Sequence, residues 1–171
     1  MTVMGGRSNT HVEIPTDSGV PCLFTGTINT NGGGFCSIRA NLEKSLPDDA
    51  KGFKIKYKGD GNTYKILLSK GQGAGGPMSK NPSWQADIPT TKNQMEEKVV
   101  TFDSFFPSFG GRRSLTKEEM ASYTFKPSEM AQLGIMLSLK LSNGESNPPE
   151  TFGQSQSIFD FHFEVHELSI V

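Results

Sequence analysis

The sequence predicts an all-β domain, a jelly-roll β-sandwich with long loops and little helix. The chain has 171 residues, of which 19 are Gly and 10 are Pro, and these residues divide it into short segments. Few of the segments keep an apolar period of about 3.6 residues, whereas several alternate apolar and polar residues. Short alternating segments bounded by turn residues are typical of sandwiches and jelly rolls.

Length and charge limit the class of protein. Because typical domains hold about 100–200 residues, we expect one domain over residues 1–171. The net charge is −1, so no excess of charge attracts nucleic acid or an anionic membrane. The longest apolar runs, such as 135–137, are far shorter than the roughly 20 residues of a membrane span. We expect neither a nucleic-acid partner nor a membrane-spanning segment.

Eight strands are predicted, at residues 22–28, 34–40, 52–57, 63–69, 84–88, 98–102, 132–141 and 158–171. The last of them alternates most clearly, with one apolar face and one polar face. Its apolar face carries Phe159, Phe161, Phe163 and Val165, and its polar face carries Asp160, His162, Glu164 and His166. We therefore expect the first face to pack inward and the second to meet water.

The segments between strands predict one short helix and three loops. Residues 116–122 can form a helix that Ser114 or Thr116 would cap. The Gly-rich run at 71–77 predicts a mobile excursion, and 110–127 and 142–156 are long connections. Long loops on a rigid sandwich are where binding usually resides.

Catalytic and cofactor motifs are missing from the sequence. The Gly-rich run at 71–76 is not followed by Gly-Lys-Ser/Thr, and the Gly run at 32–34 precedes a strand rather than a helix. The sequence contains no Gly-x-Ser-x-Gly elbow. Asp60 and Asp87 are candidates for paired carboxylates only by default, and the Gly-Asp-Gly-Asn context of Asp60 favours a tight turn. We expect no catalytic residue and no cofactor.

Metal and disulfide chemistry have weak candidates. His162, Glu164 and His166 would share one strand face and could hold a metal, although a solvated polar face is the favoured interpretation. Cys22 and Cys36 lie on neighbouring predicted strands, so a disulfide is conceivable, but buried free thiols are common. Zinc would need four ligands, which no Cys-x-x-Cys or nearby His supplies. We expect no metal.

An aromatic and Gly-rich run at 105–111 is followed by Arg112 and Arg113. Aromatic residues and Arg dominate interface energetics, so Phe106, Phe109, Arg112 and Arg113 are the candidate partner-binding residues. The same residues could form an internal clamp, in which Phe rings fill the end of the sandwich and an Arg pairs with a carboxylate. The sequence alone leaves both interpretations open.

The order of motifs resembles that of the complex I intermediate-associated protein 30 (CIA30) domain family. The matching pieces are VMGGRS at 3–8, FTG at 24–26, NGGGFCSIR at 31–39, KGDGNTYK at 58–65, WQA at 84–86, FFPSFGGR at 105–112 and LGIM at 133–136. The resemblance implies a galactose-binding-like jelly roll without established catalytic residues. It also implies an assembly chaperone for the respiratory NADH dehydrogenase. Family members usually carry a further strand before the Met-Gly-Gly motif, whereas Met4 is almost the first residue here.

The resemblance therefore favours a protein-binding module that binds subunits of a larger membrane-associated complex, in the mitochondrial matrix or the chloroplast. The long segments at 71–82 and 142–156 suit a second hypothesis, a structural or linker subunit of a photosynthetic complex. A third hypothesis is carbohydrate binding, with exposed Trp84 or Tyr64 stacked on a sugar ring. It is weaker, because Trp84 is the only Trp and sugar platforms usually carry several exposed aromatic rings. An NAD(P) enzyme is disfavoured, since no Gly-x-Gly-x-x-Gly precedes a helix.

Overall fold

The computed structural model describes residues 8–31, 34–110, 115–147 and 158–171. The strands within these ranges are β1 (Asn9–Glu13), β2 (Cys22–Asn29), β3 (Phe35–Asn41), β4 (Gly52–Lys58), β5 (Thr63–Ser69), β6 (Ser83–Pro89), β7 (Met95–Thr101), β8 (Phe106–Ser108), β9 (Gln132–Ser138) and β10 (Ile158–Ile170). The helix α1 spans Lys117–Ala121, and two 3-10 turns span Phe102–Ser104 and Pro127–Glu129.

The strands form two five-stranded antiparallel sheets. The first sheet has the order β1-β2-β10-β4-β7 and the second has the order β3-β9-β5-β6-β8. Consecutive strands often lie in different sheets, and β10 sits at the centre of the first sheet between β2 and β4. This arrangement confirms the predicted β-sandwich.

Each of the eight predicted strands has a counterpart in the structure, and two observed strands, β1 and β8, were not predicted. β1 reads NTHVE, which has one apolar residue in five, and β8 has only three residues with Pro107 in the middle. Neither segment alternates apolar and polar residues clearly enough to predict a strand. Both strands lie at sheet edges, where pairing with one neighbouring strand decides the structure.

The predicted short helix is confirmed. Glu119 N–H donates to Thr116 Oγ1 at 3.2 Å, and Thr116 N–H donates to the Glu119 carboxylate at 2.7 Å. This reciprocal pair is a capping box, which satisfies two backbone donors that the first turn of a helix leaves without partners. Of the two predicted caps, Thr116 is therefore the one that begins the helix.

The core lies between the two sheets and is rich in aromatic rings. Phe161 and Phe163 of β10 point inward and are buried, which confirms the predicted alternation. Phe163 stacks on Tyr64 of the second sheet with ring centroids 4.3 Å apart, and Phe161 packs on Phe24 at 4.9 Å. The first contact joins the two sheets, and the second packs neighbouring strands of the first sheet against each other.

The Gly-rich segment at 71–77 differs from its prediction as a free excursion. Its Gly75 N–H donates to Asn81 O at 2.7 Å, and Gly110 N–H donates to Gly75 O at 2.6 Å. Ala74 is buried, and its carbonyl accepts from an Arg39 guanidinium nitrogen at 3.4 Å. Glycine allows this segment to approach the second sheet closely, so it packs against the sheet through backbone hydrogen bonds.

Candidate functional site

A cleft of about 640 Å³ enters the sandwich where the edge strands β1 and β3 lie beside each other. Its walls are almost entirely aliphatic side chains from both sheets, and its floor reaches the buried residues Ile55 and Ile66. The aliphatic lining residues are Val12, Ile14, Ile38, Ile55, Ile66, Leu133, Ile135, Val165 and Leu168. An open apolar cleft of this size is typical of a binding site rather than of a closed core.

The cleft exists because β2 is shorter than β10. β2 has 8 residues and pairs with β10 only as far as Cys22 opposite Val165, whereas β10 has 13 residues and continues to Ile170. The register of β10 against β4 also shifts between Val165 and Glu167. Among the described strands, the last part of β10 therefore has a neighbour on one side only.

This end of β10 exposes side chains that would be core residues in a closed sandwich. Leu168 is 38 % exposed although it pairs with Ile55, which is buried. Ile14, on the segment between β1 and β2, is 76 % exposed. Ile170, Val171 and Val20 are exposed as well. Contiguous exposed apolar side chains of this kind mark interaction surfaces.

The mouth of the cleft on the β1 and β3 side is polar. His11 Nε2 lies 3.1 Å from the Glu13 carboxylate, and both side chains are exposed. Arg39 also lines the cleft, but its guanidinium donates to Ala74 O, and burial lowers its pKa. Among the described lining residues, the imidazole and guanidinium groups therefore belong to His11 of β1 and Arg39 of β3.

Both cysteines are free thiols, and Cys22 lines the cleft. Burial raises the pKa of Cys22 and raises that of Cys36 to about 11. Thiols with raised pKa values stay protonated at neutral pH and are poor nucleophiles and poor metal ligands. The chemistry of the cleft is therefore apolar contact.

The predicted partner-binding residues are not gathered into one exposed group. Phe106 is half-buried in β8, whereas Phe109 is buried and packs on Tyr123 with ring centroids 5.5 Å apart. The Phe109 ring is therefore packed inside the protein, as the clamp interpretation expects, and is not exposed as a contact residue would be. Arg112 and Arg113 lie outside the described residues.

The rings proposed for sugar stacking are both inside the protein. Trp84 is 5 % exposed and lies edge-on to Phe125, with ring centroids 5.2 Å apart. Tyr64 is fully buried, and its hydroxyl donates to Asp60 Oδ2 at 2.9 Å. Burial and the neighbouring Asp60 carboxylate raise the pKa of Tyr64. The interpretation of Trp84 and Tyr64 as exposed platforms is wrong, since both positions point inward from the second sheet.

The polar face of β10 forms a short hydrogen-bonded row. Nε2 of His162 and Nε2 of His166 each lie 2.8 Å from a different carboxylate oxygen of Glu164. Hydrogen bonding to His162 is the main cause that lowers the pKa of Glu164. Within the described residues no group of three or more His, Cys, Asp or Glu side chains has a geometry suited to a metal.

The two carboxylates considered for catalysis both fix loops. Asp60 accepts hydrogen bonds from the Asn62 N–H, the Tyr64 hydroxyl and the His162 N–H, at 3.1, 2.9 and 3.0 Å. Asp87 accepts from the N–H and hydroxyl of Ser142. The turn interpretation of Asp60 holds, with the addition that its carboxylate ties the turn to β10.

A buried lysine on the outer face of the second sheet is a residue that the sequence did not indicate. Lys65 is buried, and its ammonium donates to Gln85 Oε1 at 3.4 Å. Burial lowers the pKa of Lys65, and the charge of Asp87 opposes that shift. Its position on β5 follows from alternation, but its burial depends on neighbouring segments that only the fold brings together.

Comparison with known proteins finds one family model that matches the sequence and solved structures that share the fold. A family model described as Complex I intermediate-associated protein 30 (CIA30) matches residues 2–165. A solved structure of a family 11 carbohydrate-binding module from Clostridium thermocellum, in complex with a β-1,3-1,4-mixed-linked tetrasaccharide, is similar with a TM-score of 0.61 and 13 % identity. That match covers 98 % of this chain and 85 % of the module.

A second structure, the family 11 module of the cellulosomal cellulase Lic26A-Cel5E from the same organism, matches with the same TM-score and identity and covers 98 % of this chain and 84 % of that one. A likeness at this identity shows the jelly-roll fold alone. A search of curated proteins returned no match. In the described part of the chain, no helix has the length and apolar character needed to cross a membrane.

Proposed function

This chain belongs to the family of complex I intermediate-associated protein 30, and we propose that it is a non-catalytic protein-binding module that assists the assembly or stability of a membrane energy-transducing complex. The respiratory complex I named by the family is the first candidate for that complex. The proposal includes an organellar location, in the mitochondrial matrix or the chloroplast.

The observation that carries the proposal is the open aliphatic cleft. It is lined by both sheets, reaches the core and exposes Ile14 and Leu168 at its mouth. An isolated protein gains nothing from leaving this area in water, because burying apolar surface is worth about 25 cal/mol per Å². A partner protein that covers the cleft would recover that free energy.

Carbohydrate binding is not favoured by the site. The candidate platforms Trp84 and Tyr64 are buried, and the described residues that line the cleft include no Phe, Tyr or Trp. Sugar sites need a ring to stack on as well as partners for the hydroxyl groups, whereas this lining is mostly aliphatic. What the family 11 modules bind therefore does not transfer to this chain.

The half-buried Phe106, with Arg112 and Arg113 in the adjoining segment, is our second proposed contact region. If it contacts the partner, Arg112→Ala with Arg113→Ala should weaken capture of the partner about tenfold or more without lowering the melting temperature. Unchanged capture would remove these arginines from the contact surface.

Affinity capture of the tagged protein from its native cells after mild detergent solubilisation tests the function. We expect stoichiometric recovery of subunits of one respiratory complex, identified by mass spectrometry. Recovery of photosynthetic subunits would assign the module to a plastid complex instead. Recovery of the protein alone, with retention on a glycan array, would overturn the protein-binding proposal.

A further inference from the structure

The last part of β10 combines a free backbone edge with an apolar floor. Val171 N–H donates to Gly52 O at 3.0 Å, and Gly52 N–H donates to Val171 O at 3.2 Å, so these two residues form a hydrogen-bonded pair. Pairs alternate along an antiparallel ladder, and Leu168 and Ile170 therefore direct their N–H and C=O groups away from β4. On that side β2 has already ended at Cys22.

No hydrogen bond satisfies the backbone of Leu168 or Ile170 among the residues that the structure describes. Leu168 also lines the cleft, so the free edge and the apolar walls belong to one surface. A ligand that matches this surface needs backbone groups to pair with the edge and apolar side chains to enter the cleft. An extended polypeptide strand supplies both.

Beyond the register shift between Val165 and Glu167, this edge lacks the protection that free strand edges usually carry. Charged residues, prolines and bulges normally block pairing at a free edge. The segment after Glu167 reads Leu168, Ser169, Ile170, Val171 and contains neither a charge nor a proline. The other edge strands are protected: β1 by His11 and Glu13, β3 by Arg39, β7 by Glu96, Glu97 and Lys98, and β8 by Pro107.

From this contrast we infer that the free edge of β10 at 168–171 is a docking site for an extended, uncharged segment of a partner protein, which adds to the first sheet beside β10 and places alternate apolar side chains in the cleft. At about 3.3 Å per residue, the edge accommodates roughly four residues of the partner. The inference deepens the proposed function and rests on it, since it names the segment of the partner that the module would hold.

A dodecapeptide library displayed on phage is the probe, because it samples peptide sequences without requiring that the partner be identified. We expect enriched peptides to carry apolar residues at alternate positions without charge between them. In the wild-type protein, a synthetic copy of an enriched peptide should slow hydrogen exchange at the amides of Leu168 and Ile170. Peptides that protect other amides, or a library that yields no enrichment, would overturn the inference.

Matched proline variants test the edge directly. Ile170→Pro removes an N–H that faces the open side and leaves the bonds to β4 intact, so peptide affinity should fall about tenfold or more. Val99→Pro is the control. The Val99 side chain is 50 % exposed and that of Ile170 is 47 % exposed. The backbone N–H of Val99 likewise points outward, at the β7 edge of the same sheet. It should bind like wild type. Leu168→Asp, which puts a charge at the mouth, should also lose binding if Ile170→Pro proves poorly folded.

Further outcomes separate this inference from the proposed function. If native subunits are captured equally by wild type and Ile170→Pro, the edge is not the contact and the assembly role stands. If the peptides bind at the edge but no native complex is captured, the edge is a docking site and the assembly role fails. If the wild type self-associates and Ile170→Pro does not, the edge binds a second copy of this chain. That result would overturn the inference that the edge binds a different protein.

Discussion

At the scale of single residues, Asp60 connects parts of the chain that lie far apart in sequence. Its carboxylate accepts from the Tyr64 hydroxyl and from the His162 N–H, as well as from Asn62 in its own turn. The Tyr64 ring is buried between the sheets, so its hydroxyl depends on protein partners rather than on water. One carboxylate therefore holds the β4–β5 turn, the core tyrosine and β10 together.

Asp60→Ala should lower the free energy of unfolding by about 2–3 kcal/mol, because the His162 N–H loses its acceptor and the buried Tyr64 hydroxyl keeps only the longer bond to His162 O, at 3.3 Å. Urea denaturation at neutral pH measures the change. Asp160→Ala is the control, since Asp160 is exposed and its carboxylate accepts a single hydrogen bond from the half-buried Thr27 hydroxyl. A loss for Asp60→Ala as small as that of the control would show that water replaces the carboxylate.

Glu164 gives the molecule an acid-sensitive contact. Its hydrogen bonds to His162 and His166 hold its pKa below the ordinary 4.5. The ionised carboxylate therefore stabilises the folded state above that pH, and this contribution is lost as pH falls through the lower folded-state pKa. We expect Glu164→Gln to lose less stability than wild type between about pH 5 and pH 3, measured by urea denaturation across that range. Parallel curves for the two proteins would contradict this role.

At the scale of elements, the β2–β3 connection depends on the backbone of one glycine. Gly34 has φ +67°, in the left-handed region, and its carbonyl accepts from Leu139 N–H at 3.0 Å. A β-branched side chain rarely adopts this conformation, although a Cβ would meet only ordinary contacts there. The requirement at this position is therefore conformational rather than steric.

Gly34→Val should destabilise the domain by about 1–2 kcal/mol or more, with the melting temperature as the measurement. Gly34→Asn is the comparison, because Asn tolerates the left-handed region better than other residues with side chains. It should retain more stability than Gly34→Val. Equal melting of Gly34→Val and wild type would mean that the turn rearranges at no cost.

At the scale of the whole molecule, the exposed apolar side chains concentrate around the open end of the first sheet. Ile14, Val20 and Leu168 are exposed there, and an isolated protein should associate weakly through them as its concentration rises. Replacing all three by Ser should reduce light scattering at high concentration. The free energy of unfolding should fall by about 1–2 kcal/mol, mainly from Leu168, which is only 38 % exposed, because Ile14 and Val20 are largely solvated already.

Met78→Ser is the matched control for that experiment. Met78 is 92 % exposed and is absent from the cleft lining, so its replacement should leave the association unchanged. Equal effects of Met78→Ser and the triple variant would mean that general surface hydrophobicity, rather than the cleft, drives association.

The sequence predicted the sandwich well and the cleft not at all, and β10 shows why. The alternation of Phe159, Phe161 and Phe163 is a local pattern, so both the strand and its buried face could be read from it. The cleft arises because β2 stops at Cys22 while β10 continues, and no local pattern encodes the pairing of strands more than a hundred positions apart. Trp84 and Phe109 show the same limit, because burial on a strand or at a sandwich end depends on what the fold brings over them.

The central position of β10 has a consequence for synthesis on the ribosome. Strands β1 and β2 can pair as soon as they emerge, and so can β4 and β7, but the strand that joins these two pairs follows all the others in the sequence. Phe24 and Tyr57 then lack Phe161 and Phe163, their ring partners, until translation has passed β10. Until that moment the first sheet consists of two unconnected halves with aromatic faces open to water, and the nascent chain is most exposed to misfolding then.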